Sequence, residues 1–519
     1  MRAPLAASDW RTLAVLLPLL ALPLMGLGMA PLFDLDEGAF TASTTEMFLR
    51  HDFLSTWLMG VPRYDKPVLS YWFQAGSVAL LGPSAWAFRL PSALASSAWI
   101  ALTWAFARRV AATRLPPIAA NDFALAAALL VATTLGPGII ERAATADAWL
   151  NLFVAGAGYA HWLWFTEQRP RWHYLGFAAM GLGFLTKGPV AVVVPAGAFC
   201  LFLLSRGDWR TLWRWAFAPK PIALFLLIAA PWFVVQAWLE GPGFLLNFFF
   251  KHNLGRYASA MEGHRGNLWF YLPVLVLSLL PHTGLLVRAL RTPRALWQDD
   301  LSRYGLLWFG LVLVLFSTAG TKLPHYLYYG YGGLFLVLAG QLAAPCDRRW
   351  LLVPMGLLFS LAVVGPSLVS GQVPQMKPDD RLLFAQLEAS FAWDYYLWFG
   401  GALVTTAIGF WLRRYRALTV AYAGGIVAAL GVSLCLAPAL GEILQGPIYR
   451  AGLVAAGRTE PLVMANMNKP SFQTYAQRAV GRRKPVAGDV ALVRESRVGE
   501  WAEAEVLFRE RSYVLLKLP

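Results

Sequence analysis

The stretch LAVLLPLLALPLMGLGMAPLFDLDEG (Leu13–Gly38) decides the fold class, because an apolar run long enough to cross a membrane is followed at once by three carboxylates. A helix of about 20 apolar residues spans a bilayer. Asp34, Asp36 and Glu37 would each cost about 2.5 to 3.5 kcal/mol at the bilayer centre. We therefore expect these acids at the membrane rim, facing a cation or a substrate. The apolar run is long for a signal peptide and lacks a small-residue cleavage site, so we expect a retained anchor.

The composition excludes the soluble globular classes. The chain has 519 residues, 58% of them apolar and 14% charged, and its mean hydropathy is +0.51. These values are typical of an integral membrane protein. The net charge of +15 does not indicate a nucleic-acid partner, because the arginines mark breaks between apolar runs and form no single basic face. Cys200, Cys346 and Cys435 fall in apolar stretches and predict no disulfide framework.

Apolar runs of spanning length recur along the chain and predict about thirteen transmembrane helices. They lie near residues 12–31, 86–107, 121–139, 146–165, 172–187, 188–205, 221–240, 268–288, 304–320, 325–344, 350–370, 393–412 and 417–440. Lys and Arg gather in the loops that are cytoplasmic when the N-terminus is cytoplasmic. We therefore predict a polytopic α-helical membrane protein with its N-terminus inside and its C-terminus outside.

Two parts of the chain lie outside this pattern on the outer side. The segment from Pro67 to Leu81 is apolar, rich in aromatics and too short to span, which favours a helix lying in the interface. From residue 442 the composition turns polar, with alternating runs at Pro461–Ala465, Asp489–Val493 and Tyr513–Leu516. We predict a membrane domain over residues 1–441 and a small outer α/β domain over residues 442–519.

The acidic trio Asp34, Asp36 and Glu37 is the first candidate for chemistry. A hydroxyl nucleophile needs a carboxylate base, which contributes about 10²- to 10⁴-fold in rate. The alternative is an Asp that caps a helix beginning near Gly38. A cap accounts for one acid and does not need three.

A charged patch, Arg63-Tyr64-Asp65-Lys66-Pro67, directly precedes the predicted interfacial helix. Pro67 suits the first position of a helix, which places Lys66 beside amide donors at the positive end of the helix dipole. A phosphate could bind there. Alternatively, Lys66 and Arg63 only anchor the segment to lipid headgroups.

Further charges map to the same outer rim on this topology. They are Arg142, Asp147, Lys187, Lys322, His325, His264 and Arg265. Taken singly, each is an ordinary ion pair between helices; taken together, they indicate a polar cavity open to the outside. Asp65 and His264 are two candidate zinc ligands, fewer than the three protein ligands of a catalytic zinc site. The sequence therefore leaves open whether a divalent metal ion binds, and we assign no cofactor.

Taken in chain order, these motifs resemble those of the bacterial GT-C glycosyltransferases related to the lipid A 4-amino-4-deoxy-L-arabinose transferase and to the protein O-mannosyltransferases. Asp34-Leu35-Asp36-Glu37-Gly38 resembles the family's D-x-D-E-A motif, and Tyr64-Asp65-Lys66-Pro67 resembles its Y-x-E-K-P motif. The motifs that follow in family order are Arg142 to Asp147, Thr186-Lys187-Gly188-Pro189, His264-Arg265-Gly266 and Lys322-Leu323-Pro324-His325-Tyr326. The chain departs from the family at Ala39 and Phe40, where Arg-Tyr is usual, and at Asp65, where Glu is usual.

The resemblance implies a GT-C fold and an inverting glycosyltransferase at the bacterial inner membrane. The sugar would pass from a polyprenyl (undecaprenyl) phosphate carrier to an envelope acceptor such as lipid A on the periplasmic side. Asp36 would act as the general base or orient the acceptor, with Glu37 and Asp34 beside it. The residues implied for donor-phosphate binding are Lys66, Arg63, Lys187, Arg265, Lys322 and His325, and those implied to support them are Asp65, Arg142, Asp147 and His264.

Three alternatives remain at this level. A protein O-glycosyltransferase would use the same donor with a protein acceptor. A flippase or transporter of polyprenyl-linked sugars would share the membrane plan and the phosphate-binding cations but needs no catalytic carboxylate. A non-catalytic scaffold would need neither Asp36 nor Lys66.

Overall fold

The computed structural model describes residues 7–258, 266–412 and 415–519. The helices of the first half are α1 Ala7–Ala21, α2 Asp36–Arg50, α3 Leu69–Leu81, α4 Ala85–Ala112, α5 Pro117–Thr133, α6 Leu135–Ile140, α7 Asp147–Glu167, α8 Pro170–Lys187, α9 Val190–Ser205, α10 Trp209–Ala216, α11 Pro219–Glu240, α12 Pro242–Leu246 and α13 Gly255–Ala258. Those of the second half are α14 Tyr271–Ser278, α15 Thr283–Ala289, α16 Pro293–Gln298, α17 Asp300–Thr318, α18 Tyr331–Ala343, α19 Arg349–Ser370, α20 Pro378–Phe384, α21 Trp393–Gly409, α22 Ala417–Gly431, α23 Ala437–Leu444, α24 Gly446–Ala456 and α25 Ser471–Ala476. The strands are β1 Trp57–Leu58, β2 Val61–Pro62, β3 Leu462–Met464, β4 Val480–Gly481, β5 Val490–Arg494, β6 Glu505–Glu510 and β7 Tyr513–Lys517.

The membrane domain is multi-pass, as predicted. Within the described residues, five helices are long and apolar enough to cross a bilayer: α4, α11, α17, α19 and the continuous helix Ala417–Leu444. The bent pair α14 and α15 adds a sixth if it counts as one span. A helix occupies each of the other predicted spans as well, but several are short or carry more charge, so the number thirteen stays a prediction.

The predicted eighth span, residues 268–288, is bent and consists of two helices. It forms α14 and α15, whose axes differ by 116°. Pro281 lies in the break and has no amide hydrogen for the helical ladder. His282 follows it, and its Nε2 lies 2.8 Å from Thr133 Oγ1 at the end of α5. The helical hydrogen bonding is thus interrupted at Pro281, and the next residue, His282, contacts α5.

The apolar core of the membrane domain joins α4, α5, α7, α9, α17 and α18. Trp162, Tyr304 and Trp308 are fully buried in it, and the rings of Trp162 and Tyr304 stack with centroids 5.5 Å apart. At the crossing of α17 and α18, a Cβ on Gly305 would lie 2.5 Å from the carbonyl oxygen of Gly333. Glycine is required there because the two backbones touch.

The C-terminal region folds into a small α/β domain, as the alternating runs predicted. Its five-stranded sheet has the order β4-β3-β5-β7-β6; β3 runs parallel to β4 and β5, whereas β7 pairs antiparallel with β5 and β6. The three predicted runs correspond to β3, β5 and β7. The predicted boundary between residues 441 and 442 falls inside α23, and it stays a prediction.

This domain packs through α25 on α2 and on the acidic loop, residues 32–37, that precedes it. Thr474 Oγ1 lies 2.9 Å from Thr41 Oγ1 of α2, and the Tyr475 hydroxyl accepts a hydrogen bond of 2.5 Å from the amide of Leu32. Gln473 Nε2 donates to the carbonyl oxygen of Ala42 at 3.3 Å. The acidic loop is therefore held between the membrane helices and the C-terminal domain.

Candidate active site

Asp36 is the carboxylate of the acidic trio that faces open space. It is the first residue of α2 and is exposed, and no described residue forms a hydrogen bond or ion pair with its side chain. It lines a cleft with about 870 Å³ of free space, including the part open to solvent. Asp34, Glu37, Arg89 and Arg142 line the same cleft. A base in this position can reach a bound molecule.

Glu37 is buried and fully occupied by protein donors. Arg89 of α4 donates to both of its oxygens at 2.7 and 2.6 Å, and the amides of Phe33 and Ala144 donate at 2.8 and 2.7 Å. Burial alone would raise the pKa of the Glu37 carboxyl, but Arg89 and the amide donors hold it below its usual value. The arrangement keeps Glu37 charged and fixed beside Asp36. Its predicted catalytic role stays a prediction.

Asp34 joins the acidic loop to the C-terminal domain. Its carboxylate accepts from the amide of Ser471 at 3.0 Å and from the Ser471 hydroxyl at 2.6 Å, at the start of α25. Burial raises the pKa of Asp34 to about 6, although Lys469 and Ser471 lower it. The three acids therefore have three different environments, which their adjacency in sequence does not reveal.

Arg63, Asp65 and Lys66 form a compact ion cluster against α2. Arg63 Nε donates to Asp65 at 2.7 Å and its Nη1 donates to the carbonyl oxygen of Ala39 at 2.6 Å. Lys66 Nζ donates to Asp65 Oδ2 at 3.0 Å. Burial would raise the pKa of the Asp65 carboxyl, but Arg63 and Lys66 hold it well below its usual range. The cluster fixes Lys66 at the entrance to α3.

Lys187, Asp147 and His325 come together from three separate elements, as the predicted outward cavity requires. Lys187 Nζ, at the end of α8, donates to Asp147 Oδ1 at 2.6 Å and to the Tyr329 hydroxyl at 2.8 Å. His325 Nε2 lies 3.8 Å from the same Asp147 oxygen. The structure thus joins Lys187, Asp147 and His325 in one cluster. That this cluster and Asp36 act on one substrate stays a prediction.

Lys322 is buried and donates hydrogen bonds to carbonyl groups at the end of α17. Its Nζ donates to the carbonyl oxygens of Ser317 and Ala319 at 2.8 and 2.5 Å. A lysine at this place completes the helix C-terminus. The phosphate-binding role implied for Lys322 stays a prediction.

The region that carries His264 and Arg265 lies outside the described residues. In the part of the chain that is described, no three His, Cys, Asp or Glu side chains lie close enough together to hold a metal ion. Asp65, the other candidate ligand, accepts hydrogen bonds from Arg63 and Lys66. The metal question therefore stays open.

Arg89, Tyr329 and Ser471 are site residues that sequence reasoning missed. Arg89 gave a signal, because an arginine at the start of an apolar span needs a buried partner. No pattern in the sequence indicated Tyr329 or Ser471, because their partners, Asp147 and Asp34, lie 182 and 437 residues away along the chain.

Parts of the chain are similar in sequence to known glycosyltransferases. The family model for dolichyl-phosphate-mannose-protein mannosyltransferases matches residues 65–235. The undecaprenyl phosphate-α-4-amino-4-deoxy-L-arabinose arabinosyl transferase of Edwardsiella ictaluri is 30% identical over 342 residues, 64% of this chain and 59% of the relative. The transferase of the same name from Aeromonas salmonicida is 30% identical over 326 residues, 61% of this chain and 57% of the relative. The matched segment thus spans less than two thirds of either relative.

Solved structures extend the likeness to the whole fold. The crystal structure of ArnT from Cupriavidus metallidurans bound to undecaprenyl phosphate superposes with a TM-score of 0.78 and 21% identity, over 98% of each chain. The apo structure of that protein gives 0.76 and 20%, over the same share of each chain. The predicted fold class and the resemblance read from the ordered motifs are confirmed.

Proposed function

We propose that this protein is an inverting glycosyltransferase that moves a sugar from an undecaprenyl phosphate carrier to a lipid A-like acceptor. The observation that carries the proposal is the position of Asp36. It is an exposed carboxylate that lines a cleft and makes no ion pair with a described residue. We assign the cations of two clusters, Lys66 beside Asp65 and Lys187 beside Asp147, to the departing phosphate.

The chemistry follows from this placement. The acceptor oxygen attacks the anomeric carbon while the bond from that carbon to the carrier phosphate breaks, and the electron pair leaves with the phosphate. Asp36 takes the proton of the attacking oxygen. Lys66, Lys187 and His325 stabilise the charge that develops on the leaving phosphate. A single displacement of this kind inverts the configuration at the anomeric carbon.

The substrate class rests on the relatives and on the fold. The two transferases are named for an undecaprenyl phosphate-linked aminoarabinose, and ArnT, whose fold this chain shares, was crystallised with undecaprenyl phosphate. We extend the carrier and the lipid acceptor to this chain. We also place the protein in the bacterial inner membrane with its N-terminus in the cytoplasm and its active site and C-terminus in the periplasm, because Lys and Arg favour the loops this makes cytoplasmic.

The proposal is tested by following a radiolabelled sugar. Purified protein in nanodiscs receives undecaprenyl phosphate carrying labelled 4-amino-4-deoxy-L-arabinose, together with lipid A and a periplasmic protein extract. The products are separated into lipid-bound and protein-bound label. We expect label on lipid A.

Each rival predicts a different distribution of label. Label on protein alone would support a protein O-glycosyltransferase. In sealed proteoliposomes, label that crosses the bilayer while still on its carrier would support a flippase. Either outcome would overturn the proposed acceptor or the proposed reaction, and repeating the assay with other carrier-linked sugars identifies the sugar.

A further inference from the structure

Among the described residues, Arg142 has no partner for its charge in the cleft that Asp36 lines. Its Nε is shielded from solvent, and no described residue accepts a hydrogen bond from it or forms an ion pair with its guanidinium. Buried guanidinium groups are normally paired and hydrogen-bonded. Arg142 lies in the loop between α6 and α7, where its neighbour Glu141 accepts a hydrogen bond from Asn151 and makes no ion pair with Arg142.

The other charges of the cleft do not neutralise Arg142. Arg89 is paired with Glu37, with Nη2 to Oε2 at 2.6 Å. Asp34 is bonded to Ser471. Asp36 is exposed and makes no ion pair with Arg142, although both residues line the cleft. The cleft therefore contains a guanidinium that forms no ion pair with any described residue, in the same lining as the proposed base.

The walls around Arg142 are apolar. Leu27, Ile139 and Ile140 line the cleft, and Ile139 is 50% exposed. A second cavity, with about 480 Å³ of free space including the part open to solvent, adjoins the cleft and shares Gly138, Arg142, Val432 and Ser433 with it. Arg142 thus places a cationic group among apolar cleft walls, which suits a molecule with an anionic head and a hydrocarbon chain.

We infer that Arg142 binds a phosphate group of the lipid acceptor, whose acyl portion extends along the apolar wall toward the adjoining cavity. A guanidinium matches phosphate geometry with two parallel hydrogen bonds. This inference deepens the proposed function and rests on it for the identification of the lipid as an acceptor. Arg142 positions the acceptor beside Asp36 and takes no part in the bond changes.

A binding measurement tests the phosphate contact without requiring transfer. Wild-type protein, Arg142→Ala and Arg142→Lys are placed in nanodiscs and titrated with diphosphorylated lipid A, dephosphorylated lipid A and undecaprenyl phosphate. We expect wild type to prefer the phosphorylated lipid A, and Arg142→Ala to lose about tenfold or more of that affinity. Arg142→Lys should retain part of it, and Arg171→Ala, an exposed arginine on α8, is the matched control.

The apolar part is tested by filling the junction of the two cavities. A Cβ added at Gly138 meets no heavy atom within 4 Å, so Gly138→Leu should fold while narrowing the passage. We expect weaker binding of hexa-acylated lipid A and unchanged binding of a short, soluble phosphorylated glucosamine disaccharide. Gly356→Leu on α19, where an added Cβ also meets nothing within 4 Å, is the matched control.

Two results would overturn the inference. One is unchanged affinity of Arg142→Ala for phosphorylated lipid A. The other is an equal loss of affinity for undecaprenyl phosphate, which would assign Arg142 to the carrier. If lipid A binds through Arg142 but receives no sugar, the site stands and the proposed function fails, so the two failures are distinguishable.

Discussion

The guanidinium of Arg89 holds both carboxylate oxygens of Glu37, with Nε to Oε1 at 2.7 Å and Nη2 to Oε2 at 2.6 Å. Its remaining donors reach the carbonyl oxygens of Leu27, Ala30 and Pro31 at 2.7 to 2.8 Å. One side chain of α4 therefore joins the end of the first apolar segment to the first turn of α2. Asp36, the neighbour of Glu37, is positioned by this contact.

Glu37→Gln should destabilise the protein strongly. Removing one member of a buried ion pair leaves the other charge uncompensated and costs about 3 to 5 kcal/mol. Thermal unfolding in nanodiscs measures the loss. Asp36→Asn is the matched control, because the same kind of change at the exposed neighbour should cost less than about 1 kcal/mol. Equal stability of the two variants would contradict a structural role for the Arg89–Glu37 pair.

Asp34 should make the stability depend on pH. Its pKa is raised from 3.8 to about 6 in the folded protein, so between these values the folded state holds a proton that the unfolded state releases. Stability from this group is therefore greatest below pH 4 and falls as the pH rises to about 6, by up to about 3 kcal/mol. Unfolding temperatures of wild type and Asp34→Asn between pH 4 and 7 measure the difference. A difference that does not change with pH would contradict the raised pKa of the buried Asp34 carboxyl.

Lys66→Ala should weaken binding of undecaprenyl phosphate. A charge-assisted hydrogen bond is worth about 1.5 to 3 kcal/mol, so its loss lowers affinity by roughly tenfold or more. Titration in nanodiscs measures the change, with Lys220→Ala at the start of α11 as the control. Affinity equal to that of wild type would contradict the phosphate-binding role proposed for Lys66.

Lys322→Met should act on stability before it acts on binding. The substitution removes the two hydrogen bonds to the carbonyl oxygens of Ser317 and Ala319 and leaves those acceptors buried, which costs about 1 to 3 kcal/mol each. We expect a lower unfolding temperature and a loss of carrier affinity smaller than that of Lys66→Ala. A variant as stable as wild type that no longer binds the carrier would assign Lys322 to the phosphate instead.

The sequence was sufficient for the elements whose signal is local. Hydropathy located the membrane helices, and strand periodicity located β3, β5 and β7 in the C-terminal domain. The bend at Pro281 was missed, because a proline within an apolar helix does not by itself tell whether the helix kinks or stops. Here the helix stops, and the contact between His282 and Thr133 that accompanies the break joins residues 149 positions apart.

The site residues likewise differ in whether a local sequence pattern could identify their role. Ordered motifs identified Asp36, Lys66, Lys187, Asp147 and His325, and the structure joins Lys187, Asp147 and His325 in one cluster. The adjacent acids Asp34 and Glu37 could not be told apart from Asp36, because their environments depend on partners 437 and 52 residues away. Burial and pairing, not residue type, separate the exposed carboxylate from the two that hold the loop.

Single-turnover transfer by Asp36→Asn tests the central claim most directly. Wild type and variant are loaded with labelled undecaprenyl phosphate sugar in nanodiscs, mixed with lipid A, and sampled over time for lipid-bound label, with Asp394→Asn on α21 as a matched exposed control. We predict carrier binding like that of wild type and a transfer rate lower by about 10²- to 10⁴-fold for Asp36→Asn. Transfer by Asp36→Asn at the wild-type rate would contradict the claim that this carboxylate carries the chemistry.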